Sequence, residues 1–245
     1  MKREHYDMMR QTEDSHWWYR VRRALICRLV ASYASKRGSG NPLRILDIGC
    51  GTGGLFQELQ AFGEVKGIDF SERAVSYCQG RGLTGIVVGD AAVLPFKDES
   101  FDLVIAMDIL EHLKNDAKGC SEIERVLVPG GTALITVPAF MFLWSVTDVL
   151  SEHYRRYTKK GIEGVLKKTG MTIRYSTYFN TFLFPFIAGV RLFVKFFRIP
   201  MRSENNVGGK LSNRIFYEIF HMESLLIPYL SFPFGVSILT IVEKK

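Results

Sequence analysis

The chain has 245 residues, of which 47% are apolar and 23% charged, and carries a formal net charge of +7. That is enough for one large core with elaborations, and it excludes a disordered chain. The four cysteines, Cys27, Cys50, Cys78 and Cys120, include no C-x-x-C pair, which argues against a disulfide framework or zinc site and predicts a reducing compartment.

Met1–Asp14 is charged and polar, without the apolar run of a secretory signal, so a cytoplasmic location is expected. The positive charge favours an anionic partner (nucleic acid, a membrane surface or a phosphorylated substrate), although solubility alone would also account for it.

In chain order, residues 1–41 form a helical cap. Its helix, Tyr6–Ser35, carries His16-Trp17-Trp18-Tyr19, and a polar linker, Lys36–Asn41, follows. Residues 42–139 alternate strand and helix patterns, the signature of a parallel sheet with crossover helices. Strands are expected at Leu43–Ile48, Glu64–Ile68, Gly85–Val88, Phe101–Ala106 and Thr132–Val137. Helices are expected near Gly53–Ala61, Glu72–Gln79 and Asp116–Val128, with Ser71 capping the second and Pro129-Gly130-Gly131 closing the third. Residues 140–158 read as an aromatic and basic lid loop. A helix (Thr158–Lys168), a strand (Met171–Phe179), an apolar helical insertion (180–235) and a final strand (Ser237–Val242) complete a single domain of residues 1–245 without internal repeats.

The most informative run is Ile45-Leu46-Asp47-Ile48-Gly49-Cys50-Gly51-Thr52-Gly53-Gly54. An apolar strand passes straight into glycines, which permit a tight turn and let a ligand approach the backbone. The glycines alone fit both G-x-G-x-G and the dinucleotide pattern G-x-G-x-x-G. Asp47 decides between them. A carboxylate at that strand end repels a pyrophosphate but suits S-adenosylmethionine, which presents an ammonium and a sulfonium there. Asp69 follows the second strand at the spacing of a ribose-binding acid, and Gly89-Asp90-Ala91 follows the third, where a carboxylate can accept from an adenine amino group.

The runs ILDIGCGTGG, GIDFS, GDAAVLPFKDESFDLVIAMDILEHL and LVPGGTALITVP resemble, in order and spacing, class I S-adenosylmethionine-dependent methyltransferases of the type 11 kind. The resemblance covers roughly residues 43–138. It implies an α/β, Rossmann-like, doubly wound sheet of seven strands, mostly parallel, with the last strand antiparallel. It also implies that Gly49 and Gly51 approach the methionine moiety, Asp69 the ribose, and Asp90 with Ala91 the adenine, with Asp47, Cys50, Gly53, Phe70 and Asp108 completing the donor site. The flanks resemble a narrower bacterial and archaeal group through Glu13-x-x-His16-Trp17-Trp18, the run from Leu143-Trp144 to His153-Tyr154-Arg155-Arg156-Tyr157, and Glu223-Ser224 through Pro233-Phe234-Gly235.

Methyl transfer to oxygen or nitrogen needs a base beside the methyl group. The end of the fourth strand offers Asp108-Ile109-Leu110-Glu111-His112, with His112 the candidate base because imidazole titrates near neutral pH. The alternative is a structural histidine opening a helix. Asp108, Glu111 and His112 also resemble the E-x-x-E-H metal cluster of some quinone and small-RNA methyltransferases, with Asp108 replacing the first glutamate. The same run is common in metal-free relatives, and no metal ligand is assigned. His153 with Arg155 and Arg156 forms a second catalytic constellation suited to a phosphate or carboxylate on the acceptor, or else a solvated basic loop. His16, Trp17 and Trp18 are expected either to cover the donor pocket as a lid or to pack the N-terminal helix onto the core.

Phe182–Phe197 is too short and too charged to span a bilayer. Arg191, Lys195 and Arg198 fall on one helical face opposite Phe193, Val194 and Phe197, the pattern of an interfacial membrane helix. Burial as a wall of the acceptor pocket is weighed ahead of that reading. The expected activity is methyl transfer, O-directed, to a small-molecule, sugar- or lipid-linked acceptor that carries an anionic group. A nucleic-acid methyltransferase and a non-catalytic donor-binding scaffold at a membrane remain the alternatives.

Overall fold

A computed structural model describes residues 3–38, 41–199 and 209–245; part of the Lys36–Asn41 linker and residues 200–208 of the insertion lie outside the described residues. Seven strands form one sheet: β1 (Leu43–Ile48), β2 (Gly63–Asp69), β3 (Ile86–Val88), β4 (Phe101–Met107), β5 (Leu127–Pro138), β6 (Thr172–Phe179) and β7 (Ser237–Glu243). Their spatial order is β3-β2-β1-β4-β5-β7-β6, and β7 runs antiparallel between β5 and β6. The expected Rossmann-like sheet with an antiparallel last strand is present.

The described helices are α1 (Arg3–Thr12), α2 (Trp17–Arg37), α3 (Gly54–Leu59), α4 (Glu72–Gly80), α5 (Asp116–Val126), α6 (Val146–Leu150), α7 (Lys159–Lys167), α8 (Phe184–Phe196) and α9 (Lys210–Leu226). Successive strand residues point to opposite faces. Leu46, Val104 and Ala106 therefore pack with Ile123 and Val126 of α5 and Ile162 and Leu166 of α7. Ile45, Leu103 and Ile105 face the other way, onto Leu25 and Ile26 of α2, Phe56 of α3 and Phe220 of α9. Both faces are dry, which explains the nearly unbroken apolar runs of the central strands. Phe220, Trp18 and Phe179 form a cluster of three nearly parallel rings, with centroids 5.5–6.1 Å apart. Removing the Phe220 ring should cost about 3–5 kcal/mol.

Four local features differ from expectation. The N-terminal segment is two helices rather than one, because His16 takes an extended backbone and accepts the Trp18 N–H, starting α2 anew. The third crossover helix, α5, ends at Val126, and Pro129-Gly130-Gly131 lies inside β5, where pairing with β4 shifts register. The lid contains α6, because Ser145 and Asp148 form a capping box that nucleates a turn of helix. The insertion is two helices, tied back where Glu223 accepts the backbone N–H groups of Thr181 and Phe182 at 2.7 and 2.8 Å. At Gly235 a Cβ would strike the Phe179 backbone; this gives the Pro-Phe-Gly run its reason.

Candidate active site

One cavity of about 730 Å³ opens at the carboxyl edge of the sheet, where open α/β folds bind ligands. Its walls include Asp47, Gly49, Cys50, Gly51, Asp69, Phe70, Asp90, Ala91, Asp108, His112 and His153. The two ends of this cavity are built differently.

At one end, β1 turns through Gly49 and Gly51, both at positive φ. A Cβ on Gly49 would collide with the Ile109 side chain. Gly53 lies off the cavity wall: at φ +87 it starts α3 with its α-carbon against Leu83 and Cys78, so it shapes the turn. Asp47 is buried, and its Oδ2 has no hydrogen-bond partner. Burial, with the charge of Asp69 adding to it, pushes its carboxyl up to about 7. A buried carboxylate oxygen without a partner is costly, and a cation would supply one. This fits the ammonium of S-adenosylmethionine.

Asp69 Oδ2 accepts the Gly51 N–H at 3.0 Å, and its Oδ1 accepts the Ser71 N–H at 2.9 Å and the Tyr6 hydroxyl at 3.1 Å. Burial still raises its carboxyl, against those three hydrogen bonds. Phe70 is 79% exposed at the rim, a free aromatic face beside Asp90. Asp90 uses one oxygen to accept the Ala92 N–H at 2.8 Å.

Of His16, Trp17 and Trp18, only Trp18 lines the cavity, and both tryptophans also pack against the core; the sequence reading missed the other residues that α1 and α2 bring here. Tyr6, Met9, Glu13, Tyr19 and Arg22 all line the cavity. Glu13 accepts the Thr52 hydroxyl at 2.5 Å and pairs with Arg81. Asp7 pairs with Arg73 at 2.6 Å and accepts the Tyr77 hydroxyl at 2.8 Å, so α1 is pinned across the donor end. The quoted Glu13-x-x-His16-Trp17-Trp18 run was the available signal.

At the other end, Asp108 sits at positive φ, with Arg22 2.6 Å from Oδ2 and the Thr136 hydroxyl donating to Oδ1 at 3.1 Å. Glu111 and His112 lie on the 3-10 turn that follows β4. Glu111 is fully buried with neither carboxylate oxygen hydrogen-bonded, and burial, then the Asp108 charge, hold its carboxyl well above the usual range. The lid brings His153 to within 4.6 Å of His112, centroid to centroid, nearly edge-on. Asp148 accepts from His153 Nδ1 at 2.8 Å. Burial alone would raise the Asp148 carboxyl, but hydrogen bonds from His153 and Arg156 hold it well below the usual range.

The expected arginine pair does not face the acceptor. Arg156 is buried and forks onto both Asp148 oxygens at 2.8 and 2.9 Å. Arg155 turns outward to Asp116 at 3.0 Å and the Lys114 carbonyl at 2.8 Å. The reason is Asp148: a carboxylate that deep needs a paired charge, and Arg156 supplies it. The cationic side chains on the cavity wall are Arg22, Arg23 and Lys114.

The 180–235 insertion contributes no lining residue to this cavity among the described residues, so it does not wall the acceptor pocket. Burial of the Phe182–Phe197 helix is likewise corrected. Phe193, Phe196 and Phe197 of this segment are exposed, Phe196 at 80%, and Arg191 donates to the Leu143 carbonyl of the lid at 3.1 Å instead of joining a solvent-facing stripe.

Residues 46–135 match the family described as "Methyltransferase domain". A norajmaline N-methyltransferase of Rauvolfia serpentina is 36% identical over 131 residues, covering 50% of this chain and 45% of that protein. A sterol 24-C-methyltransferase of Gibberella zeae is 35% identical over 116 residues, 44% of this chain and 29% of the relative. The chain therefore spans less than half the length of these curated relatives. An S-adenosylmethionine-dependent methyltransferase structure from Mesorhizobium loti shares the fold, with a TM-score of 0.59 at 17% identity, covering 95% of this chain and 100% of that one.

Proposed function

Residues 46–135 belong to a class I, S-adenosylmethionine-dependent methyltransferase domain, and from that premise we propose that the whole chain methylates an oxygen on a small-molecule, sugar- or lipid-linked acceptor. The observation that carries this reading is a single cavity with an unpartnered buried Asp47 at one end and the His112–His153 pair at the other. When bound, the donor supplies an activated methyl group on a sulfonium. Asp47 would face its ammonium, Asp69 would accept from the ribose hydroxyls, and Asp90 with Ala91 would meet the adenine. Asp108, locked by Arg22 and Thr136, holds the floor between the two ends. An acceptor hydroxyl seated against His112 and His153 would give up its proton there, so that its oxygen could take the methyl group while the electron pair of the broken carbon–sulfur bond stays on sulfur.

The test is calorimetry with S-adenosylmethionine and its demethylated product, followed by labelled-methyl incorporation into lipid, glycan and small-molecule extracts. Tight NAD binding with none for the donor would overturn the reading. Label in amines alone would overturn the oxygen assignment.

A lipid-linked acceptor is favoured by the exposed end of α8. Leu192, Phe193, Phe196, Phe197 and Ile199 stand in solvent beside Met141 and Phe142 of the lid, with exposed Lys195 and Arg198 among them. No described helix is long and apolar enough to cross a membrane. Aromatic side chains with interspersed cations suit the headgroup boundary of an anionic bilayer, next to the lid that covers the acceptor end. Co-sedimentation should be strong with phosphatidylglycerol vesicles and weak with phosphatidylcholine vesicles, and Phe196→Glu with Phe197→Glu should abolish it. Equal sedimentation of the double variant would refute the contact.

A further inference from the structure

We propose that Glu111, His112 and His153 form a binding site for a first-row divalent cation of the Zn²⁺ or Co²⁺ kind, placed where the methyl acceptor meets the cavity. The three side chains each offer one ligand atom, and these atoms lie within 4.8 Å of one another. Glu111 Oε1 and His153 Nε2 are 4.0 Å apart, a separation that one ion can bridge at metal–ligand distances of about 2.0–2.2 Å. His112 supplies the third ligand atom within that 4.8 Å, from the same turn as Glu111.

Two further observations point to a cation. Glu111 is wholly buried, yet neither of its oxygens accepts a hydrogen bond. Burying a carboxylate in that state is unfavourable, and a bound cation offsets the cost. Second, Asp148 accepts from His153 Nδ1 at 2.8 Å and is itself fixed by Arg156 and by the Ser145 N–H at 2.8 Å. That arrangement fixes the tautomer, leaving Nε2 as the ligand atom turned toward Glu111. It is how proteins orient and strengthen a metal-binding imidazole. Asp108 is not a ligand, because Arg22 and Thr136 take both of its oxygens.

Two imidazoles and one carboxylate suit first-row divalent ions; calcium and magnesium prefer sets composed of oxygen. His112 and His153 line the cavity, so the ion's open positions face the acceptor. The cation's role rests on the methyl-transfer reading, although the site itself does not. Its charge lowers the pKa of an acceptor hydroxyl set against it. That proton leaves to solvent, the oxygen forms its bond to the methyl carbon, and the electron pair of the broken carbon–sulfur bond stays on sulfur.

The test uses untagged, chelator-treated full-length protein titrated with Co²⁺ and Zn²⁺. Co²⁺ should give visible ligand-field bands saturating at a single equivalent, and Zn²⁺ should displace them. Glu111→Gln and His153→Gln should each weaken binding about tenfold or more, and Asp148→Asn should do so by way of His153, in the roughly 10–100-fold range of outer-shell partners. Calorimetric binding of S-adenosylmethionine, measured on the same variants, should be unchanged; this shows that they fold and keeps the donor reading separate. Absent bands, or bands that persist in Glu111→Gln, would overturn the metal site while leaving the donor site intact. Loss of donor binding in the unsubstituted protein would overturn the methyl-transfer reading and leave the cation result standing.

Discussion

The two ends of the cavity are made from very different stretches of chain. The donor end is assembled chiefly from strand-to-helix turns within residues 47–71 and 89–92, each a few residues long. The acceptor end joins Arg22, Asp108, His112 and His153, which come from a cap helix, a strand end and a lid. One end is local and holds a buried carboxyl oxygen, Asp47 Oδ2, without a partner. The other is long-range, and Arg22, Arg155 and Arg156 are already paired with Asp108, Asp116 and Asp148. Donor binding and acceptor chemistry should therefore respond to different substitutions.

The largest effect that can break this contrast is at the acceptor end. His112→Ala and His153→Ala should each lower kcat by about a hundredfold with donor affinity near wild type. Steady-state kinetics on an identified acceptor, paired with calorimetry, checks both halves. Full turnover in either variant across neutral pH would remove that imidazole from the chemistry.

Next in size, Asp69→Asn should weaken donor binding by about tenfold or more, since charge-assisted hydrogen bonds contribute about 1.5–3 kcal/mol each. Its turnover at saturating donor should stay close to normal. An unchanged dissociation constant in the folded variant would take Asp69 out of the site.

Asp47 sharpens the comparison through pH. Its carboxyl is raised to about 7 in the donor-free protein, so the stability gained from its protonated form is complete below the usual carboxylate range and lost as pH rises through about 7. The donor's ammonium needs the ionised form. Donor affinity should accordingly tighten as pH rises toward 7, by up to about tenfold per unit, with proton release seen calorimetrically in buffers of different ionisation enthalpy. Asp47→Asn should flatten both profiles.

The smallest effect is at Arg155. Its pair with Asp116 is part-exposed, worth about 0–1 kcal/mol. Arg155→Ala should leave the acceptor KM within about twofold. A large rise in KM would restore the anion-binding role that the structure takes from it.

Legibility followed the same division. The placing of Asp47, Gly49, Gly51, Asp69 and Asp90 on one cavity wall could be read because each sits at a strand end fixed by short-range patterning. Arg156 was misread because its partner, Asp148, is buried by a helix whose start lies in Ser145-x-x-Asp148, a capping signal that was there to be found. Tyr6 and Arg22 had no local cue, since what defines them is contact with Asp69 and Asp108 across 63 and 86 positions of sequence. For α8 the sequence left burial and exposure both open and weighed burial ahead, because an apolar helix face reads alike whether it meets a core or lies open.

The pinning of α1 has a kinetic side. Tyr6 on Asp69, Asp7 on Arg73 and Tyr77, and Glu13 on Thr52 and Arg81 fasten a ten-residue helix along the donor wall. Most of these contacts are side-chain ties that a short terminal helix can release and remake without disturbing the sheet. If a spent donor leaves past α1, it departs no faster than those ties open, and its residence time then depends on the first thirteen residues as well as on the glycine turn. Such an exit step would cap turnover, and stopped-flow displacement of the demethylated product would read it directly.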